Sequence, residues 1–285
     1  MVRSGSPCAL CGEARPEFFR VYFDGYLKLY KCLSCGLVAQ FPGPGHSTIV
    51  ESYDELYSLD FADTREFLHP QRYKDFRDIL DRVLTVKSTG RILDVGCGDG
   101  HFLHICARSG FECYGVEDAE KLVSYASAKT GAHVVQGHYS KHMFAECFFD
   151  VVTFLHVLEH IQTPVLALET ARYHLKPDGV LVIEVPSIRS PHFLAYELTG
   201  IKWFVRPPRG VVDTHFAYYT PISLLALTRK TGFRQLSLTT GRVRYKHSGF
   251  LGHLGRIVDP LLDLAKVGGI LYIGARDGNH GGSGR

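Results

Sequence analysis

Ile92-Leu93-Asp94-Val95-Gly96-Cys97-Gly98-Asp99-Gly100 reads as a buried strand that breaks at once into a glycine turn opening a helix. Glycine takes left-handed dihedrals and carries no Cβ, so such a turn lets a ligand lie against bare backbone. A dinucleotide fingerprint, G-x-G-x-x-G, would place its third glycine where this chain has His101, and an imidazole there would crowd a pyrophosphate. Glu117 follows Gly98 by 19 residues and closes the stretch Glu112-Cys113-Tyr114-Gly115-Val116-Glu117. An acid at the tip of the second strand can accept both hydroxyls of a ribose. A nucleoside without a pyrophosphate satisfies both observations.

Outward from this turn the chain alternates strand and helix. Strands are expected at about 91–96, 112–117, 133–136, 149–155, 180–185, 234–240 and 270–273, with helices near 71–86, 100–109, 119–130, 163–175, 221–231 and 249–267. Lys176-Pro177-Asp178-Gly179 reads as a helix stop plus turn. The strands are near-continuous apolar runs, which suits a mostly parallel sheet covered on both faces, a doubly wound α/β fold.

The N-terminal region has a different logic. Cys8-Ala9-Leu10-Cys11 and Cys32-Leu33-Ser34-Cys35 are two C-x-x-C pairs, and Gly12 and Gly36 directly follow them. Two such knuckles can close a tetrahedron of thiolates around Zn²⁺, and four cysteine ligands leave no open position, so the metal would be structural. Between the pairs, 18–23 and 26–30 read as strands joined through Asp24-Gly25, a hairpin signal. The module has the pattern of a zinc ribbon, too small to fold without a staple. Pro42-Gly43-Pro44-Gly45 is the clearest linker. The expected division is therefore a ribbon over 1–45, an α/β domain over 46–276 and a glycine-rich flexible tail over 277–285. Cys97, Cys106, Cys113 and Cys147 lack paired spacing and read as small buried hydrophobes.

Hydrophobic content of 45% and charged content of 21% are ordinary for a globular protein, and a formal charge of +3 argues against a nucleic-acid partner. No apolar run approaches the roughly 20 residues of a membrane span, and Met1 to Pro7 lack the apolar core of a signal peptide. The cytoplasm is the expected compartment, and a monomer or homodimer the expected assembly.

Asp94, Gly96, Gly98 and Gly100 together resemble motif I of the class I S-adenosylmethionine-dependent methyltransferases, a Rossmann-like, seven-stranded fold. Phe149-Asp150-Val151-Val152-Thr153-Phe154-Leu155-His156-Val157-Leu158-Glu159-His160 resembles that superfamily's fourth-strand motif, and Leu175 to Ile183 its fifth. The ribbon followed by this domain resembles bacterial sugar, polysaccharide and secondary-metabolite methyltransferases; H-V-L-E-H also resembles the ubiquinone-pathway O-methyltransferases. The resemblance implies that the last strand runs reversed beside the fifth. It implies that Asp94, Gly96 and Gly98, with Cys97 between them, line the methionine moiety of S-adenosylmethionine. It implies further that Glu117 holds the ribose, that Asp118 and His138 flank the adenine, and that Leu155 and His156 close over the methionine end.

Moving a methyl group to a hydroxyl needs a base, and histidine suits neutral pH. His215 is the first candidate. It follows strand five, where substrate insertions sit, in a segment resembling the H-E-H-x-x-Y-F-S pattern of sugar methyltransferases, with Thr214 in place of the glutamate. His156, Glu159 and His160 share one helical face. Ubiquinone-type enzymes carry acid, acid and His at these places and bind a divalent metal; with His156 replacing the first acid, this turn either shapes the pocket or holds a divalent metal at Glu159/His160. Lys202, Trp203, Arg206 and Arg209 could take an anionic or sugar acceptor, and the apolar stripe of 249–267 reads as core, suiting a lipid-linked acceptor only if it is exposed. The expected reaction is methylation of a small-molecule hydroxyl on a sugar, glycan or secondary metabolite. The alternative is an RNA methyltransferase whose ribbon grips nucleic acid.

Overall fold

A computed structural model describes residues 7–13, 17–22, 27–40, 70–188, 215–242 and 269–278. The proposed linker, the hairpin tip Asp24-Gly25, the 202–209 cluster, the 249–267 stripe and the tail beyond Gly278 lie outside these residues.

The α/β region opens with α1 (Pro70–Leu84) and continues through β4 (Gly90–Val95), α2 (His101–Ala107), β5 (Phe111–Glu117), α3 (Glu120–Thr130), β6 (His133–Gln136) and β7 (Phe149–Leu155). A 3-10 turn (Leu158–His160), α4 (Pro164–His174), β8 (Leu175–Val185), α5 (Pro221–Lys230), β10 (Phe233–Arg242) and β11 (Gly269–Arg276) complete it. Seven strands form one sheet in the order β10-β11-β8-β7-β4-β5-β6. β11 is antiparallel to both β8 and β10, whereas β8, β7, β4, β5 and β6 are mutually parallel. The reversed last strand beside the fifth is as the resemblance implies.

Side chains alternate across the pleat, and the two faces bury separate cores. Ile92, Val151, Val180, Val182, Leu271 and Ile273 face α1 and α2, where Ile79, Leu80, Val83, Phe102 and Leu103 cover them. Leu93, Val95, Val152, Phe154, Leu181, Ile183, Ile270 and Tyr272 face the other way, toward Leu168 and Ala171 of α4 and Leu224 and Leu227 of α5. Both faces are apolar, so the central strands β4 and β7 read as near-continuous hydrophobic runs.

The N-terminal strands β1 (Glu17–Tyr22), β2 (Leu27–Lys31) and β3 (Val38–Gln40) form an antiparallel meander. Its fourth strand is β9 (Ala217–Tyr218), which arrives from the segment after β8 and pairs with β3. Cys8, Leu10, Cys32 and Leu37 join the same buried cluster as α4 and α5. Lys230 Nζ donates to Leu10 O at 2.6 Å. The ribbon is thus part of the cover of one sheet face.

One boundary differs from the sequence reading. Residues 176–179 do not form a turn between α4 and the strand, because β8 begins at Leu175, directly after α4. Leu175 pairs with Phe149 and Val180 with Val151, so the Pro177 segment is absorbed as a bulge. Lys176 Nζ anchors that bulge to Asp150 Oδ2 at 2.8 Å. Asp277 is likewise fixed, its N–H donating to Gly232 O at 2.9 Å and its carbonyl accepting from Arg172. Among the described residues no helix is long and apolar enough to cross a membrane.

Candidate active site

A cavity of about 1200 Å³ opens at the carboxyl ends of β4, β5 and β7. Its floor is the glycine turn. Gly96, Gly98 and Gly100 all have positive φ, at 68°, 55° and 78°. A Cβ on Gly96 would lie 2.5 Å from Val157 Cγ2, so this glycine answers both to its dihedral and to a close neighbour. Gly115 on β5 leaves room for Cys97, whose Sγ would otherwise be 2.6 Å from a Cβ. Cys97 is buried, and its N–H donates to Val116 O at 3.1 Å. As expected of a small hydrophobe, burial pushes its thiol far above the usual range.

Glu117 ends β5 on the cavity wall. Its carboxylate accepts the Gly98 N–H at 2.9 Å and the Ala119 N–H at 3.1 Å, tying the strand tip to the glycine turn. Burial raises its pKa, and the two N–H bonds partly offset that. Asp118 and His138 meet at the cavity rim, 2.7 Å apart, so the two residues expected near an adenine do come together. Asp94 is 3% exposed and accepts the Thr153 hydroxyl at 2.5 Å. Desolvation lifts its carboxyl to about 7, against the lowering effect of Thr153.

The other flank of β4 carries histidines. His156 follows β7 with φ of 60°, a left-handed conformation uncommon outside glycine. Its N–H donates to Glu184 O at 2.8 Å, and its ring stands between two buried carboxylates, 3.3 Å from Glu184 Oε2 and 3.6 Å from Glu159 Oε1. His160 lines the cavity; His215 lies against it with ring centroids 4.7 Å apart and is not among the lining residues. Ligand atoms of Glu159, His160 and His215 fall within 4.8 Å of one another. Burial pushes the Glu159 carboxyl up, but the bond from His156 and the fields of His156, His160 and His215 outweigh it and hold the pKa low. Glu159 Oε2 is buried without a hydrogen-bond partner among the described residues. An orphaned carboxylate oxygen beside two imidazoles is a donor set that fits a borderline divalent ion.

In the ribbon, Cys8, Cys11, Cys32 and Cys35 all converge within 4.8 Å, and each knuckle is closed by a glycine N–H at positive φ. All eight cysteines are free thiols, and four converging on one point fit a tetrahedral metal.

Sequence reasoning missed three contributors. Arg72 of α1 lines the cavity and makes a two-pronged ion pair with Asp99, which follows the last turn residue expected to touch cofactor. Glu184, at the end of β8, reaches His156 only through tertiary structure. Phe216 lines the cavity and bonds Glu159 O through its N–H at 2.8 Å. None of the three stands in a spacing pattern, although the acid at the tip of the fifth strand was visible in the sequence.

A family model described as a methyltransferase domain matches residues 67–238. The ubiquinone biosynthesis O-methyltransferase of Cereibacter sphaeroides strain ATCC 17029 is 31% identical over 148 residues, 50% of this chain and 59% of that protein. Its counterpart from Ruegeria pomeroyi is 32% identical over the same length and shares. This chain thus spans about 59% of the length of these curated relatives. Among solved structures, a methyltransferase acting on N1 of 1,6-didemethyltoxoflavin, from Burkholderia thailandensis with S-adenosylhomocysteine bound, superposes with a TM-score of 0.54 at 15% identity, covering 90% of this chain and 98% of that one. A S-adenosylmethionine-dependent methyltransferase from Archaeoglobus fulgidus gives 0.53 at 19% identity, covering 74% and 96%.

Proposed function

Because the chain belongs to the S-adenosylmethionine-dependent methyltransferases, we propose that it methylates a hydroxyl oxygen of a small molecule, with a cavity-wall histidine taking the proton. The observation that carries this reading is the position of the two chemistries on either side of β4: Glu117 at the tip of β5, and the His156–Glu159–His160 turn after β7.

S-adenosylmethionine supplies a methyl group already activated by its sulfonium. The chain has three tasks left. Glu117 and the Asp118–His138 pair hold the nucleoside end, and Asp94 with the glycine turn holds the methionine end. Leu155, His156 and Phe216 wall off the transfer point from water. His160, backed by His215, accepts the hydroxyl proton as the oxygen attacks in line. His215, expected from sequence to be the base, is in this reading the partner that orients His160. The relatives methylate oxygen in ubiquinone biosynthesis, which supports a phenol-like or sugar hydroxyl as acceptor, lipid-linked or free.

The buried, unpartnered Glu159 Oε2 favours a second reading of the same turn. A divalent cation would be held by Glu159, His160 and His215 and would polarise the acceptor oxygen. We also read 1–45 as a structural zinc ribbon, 46–276 as the catalytic domain and 277–285 as a tail. Free thiols suit a reducing compartment such as the cytoplasm.

The test is formation of S-adenosylhomocysteine by purified protein with phenolic and sugar hydroxyl acceptors. Oxygen-methylated product that disappears with His160→Ala supports the reading. Product only from amine or carbon acceptors, or full turnover by His160→Ala, rejects it.

A further inference from the structure

The ribbon and the histidine cluster meet at one residue. Phe216 donates its N–H to Glu159 O at 2.8 Å, in the 3-10 turn of the active site, and accepts the Gln40 N–H at 3.0 Å, in ribbon strand β3. His215 precedes it, with its ring 4.7 Å from His160 and 5.6 Å from Tyr218. Ala217 and Tyr218 follow it and pair with Ala39 and Val38. Residues 215–219 are therefore a strap, held on one side by the catalytic turn, on the other by the ribbon, and at its end by a lone bridge from Tyr219 to Ser187, where Tyr219 O accepts the Ile188 N–H at 3.2 Å.

β3 is too short to hold itself. It has three residues and begins immediately after the second cysteine knuckle, which the Cys32 N–H closes onto Leu37 O at 2.9 Å. A strand this short keeps its place only if its neighbours are fixed. β2 enters the knuckle from the other side and pairs with β3 over Leu29–Lys31. The four thiols cross-link that knuckle to the Cys8–Cys11 knuckle, which rests on α5 through Lys230 and Leu10. No other described strand pairs with β9.

We propose that the ribbon is a strut for the acceptor side of the site: the closed four-cysteine cluster holds β3 in register with β9, and so fixes Phe216 and His215 against Glu159 and His160. Phe216 and Gln40 are positioning residues acting through the backbone. The cofactor side, built on the tips of β4 and β5, takes part in none of these strap hydrogen bonds, although Leu93, Val95 and Val116 share a buried apolar cluster with Cys8, Leu10, Cys32 and Leu37. Loss of the ribbon metal then loosens the strap while leaving nucleoside binding intact. The inference rests on the proposed function for which side of the cavity takes the acceptor and for S-adenosylhomocysteine as the binding probe.

The test compares the full-length protein as purified, after metal removal with a chelator, and after Zn²⁺ is added back. Hydrogen exchange is read on peptides covering 215–219 and on β4 and β7, and S-adenosylhomocysteine affinity is titrated in parallel. Metal removal is expected to speed exchange at 215–219 by about tenfold or more, with β4 and β7 changed by less than about twofold and affinity by less than about threefold. Zinc should reverse the change. A second variant, Gln40→Pro, removes the N–H that reaches Phe216 and leaves all four cysteines in place; it should loosen 215–219 with the metal still bound. Unchanged exchange at 215–219 in either the stripped protein or Gln40→Pro overturns the strut. So does exchange that rises equally through β4 and β7 with lost affinity, which would make the ribbon a general fold stabiliser. A protein that binds no S-adenosylhomocysteine in any state would reject the methyltransferase reading, while the exchange data would still judge the strut.

Discussion

Asp94 shows how a single side chain can be legible in type and illegible in state. Its position in the glycine motif was readable, but its proton is governed by burial. With the carboxyl lifted to about 7, the native protein holds this proton more tightly than the unfolded chain, whose carboxyl titrates near 3.9. The cofactor-free protein therefore loses stability as pH rises from roughly 4 through about 7, the opposite sense to a salt-bridged carboxylate. A cationic ligand benefits from the ionised form, so affinity for S-adenosylmethionine should strengthen between pH 6 and pH 8. In Asp94→Asn the pH dependence should flatten, affinity should drop, and the empty protein should melt higher at pH 8 than wild type. Titration calorimetry and thermal melts check all three, and a lower melting temperature for Asp94→Asn would contradict the burial argument. At the other end of the cavity, His160→Ala should hold cofactor affinity within about threefold while S-adenosylhomocysteine formation falls roughly a hundredfold or more, the usual weight of a general base. Parallel loss of affinity would make His160 a cofactor residue. Neither the contact of Glu184 with His156 nor the positive φ of His156 could be foreseen, since no local pattern marks a histidine to be held between two buried acids.

The elements were the most readable level. β7 occupies the span the sequence suggests, because a continuous apolar run in a two-faced sheet leaves little freedom of register. The β8 start was misread, because Pro177 and Gly179 signal a turn locally but are accommodated as a bulge once Phe149 and Leu175 pair. Gly100 carries a reason that only packing reveals. It precedes α2 with φ of 78°, and a Cβ there would lie 2.8 Å from Thr130 Cγ2 and 3.2 Å from Ala126 Cα on α3. Gly100→Ala should destabilise the fold by roughly 1–3 kcal/mol, seen as a lower denaturation midpoint. An unchanged midpoint would mean that α2 and α3 can part at little cost. At the start of α5, Thr220 and Ser223 form a reciprocal capping box, so Thr220→Ala should cost about 1 kcal/mol in the same assay.

At the scale of the whole molecule, the ribbon is sewn into one face of the catalytic core. Metal analysis of purified protein should give one zinc per chain that is lost on Cys11→Ser, together with a lower melting temperature. A protein that holds no metal and melts unchanged would leave the cysteines as mere packing. A second equivalent that survives Cys11→Ser and vanishes on Glu159→Gln would mark the histidine cluster as a metal site.

The chain by itself determined everything written in short-range spacing: the two thiol knuckles, the glycine turn, the acid 19 residues on, and the alternation that makes a doubly wound sheet. Those features follow from dihedral freedom, ligand geometry and side-chain period, which act over a few residues. Tertiary structure alone decided which distant groups share a space: Arg72 with Asp99, Glu184 with His156, His215 with His160, and β3 with β9 across 178 residues from Ala39 to Ala217. Such pairings depend on how two cores close over one sheet, and the free energy that selects them is spread over the whole packed interior, so no local run of residues spells them out.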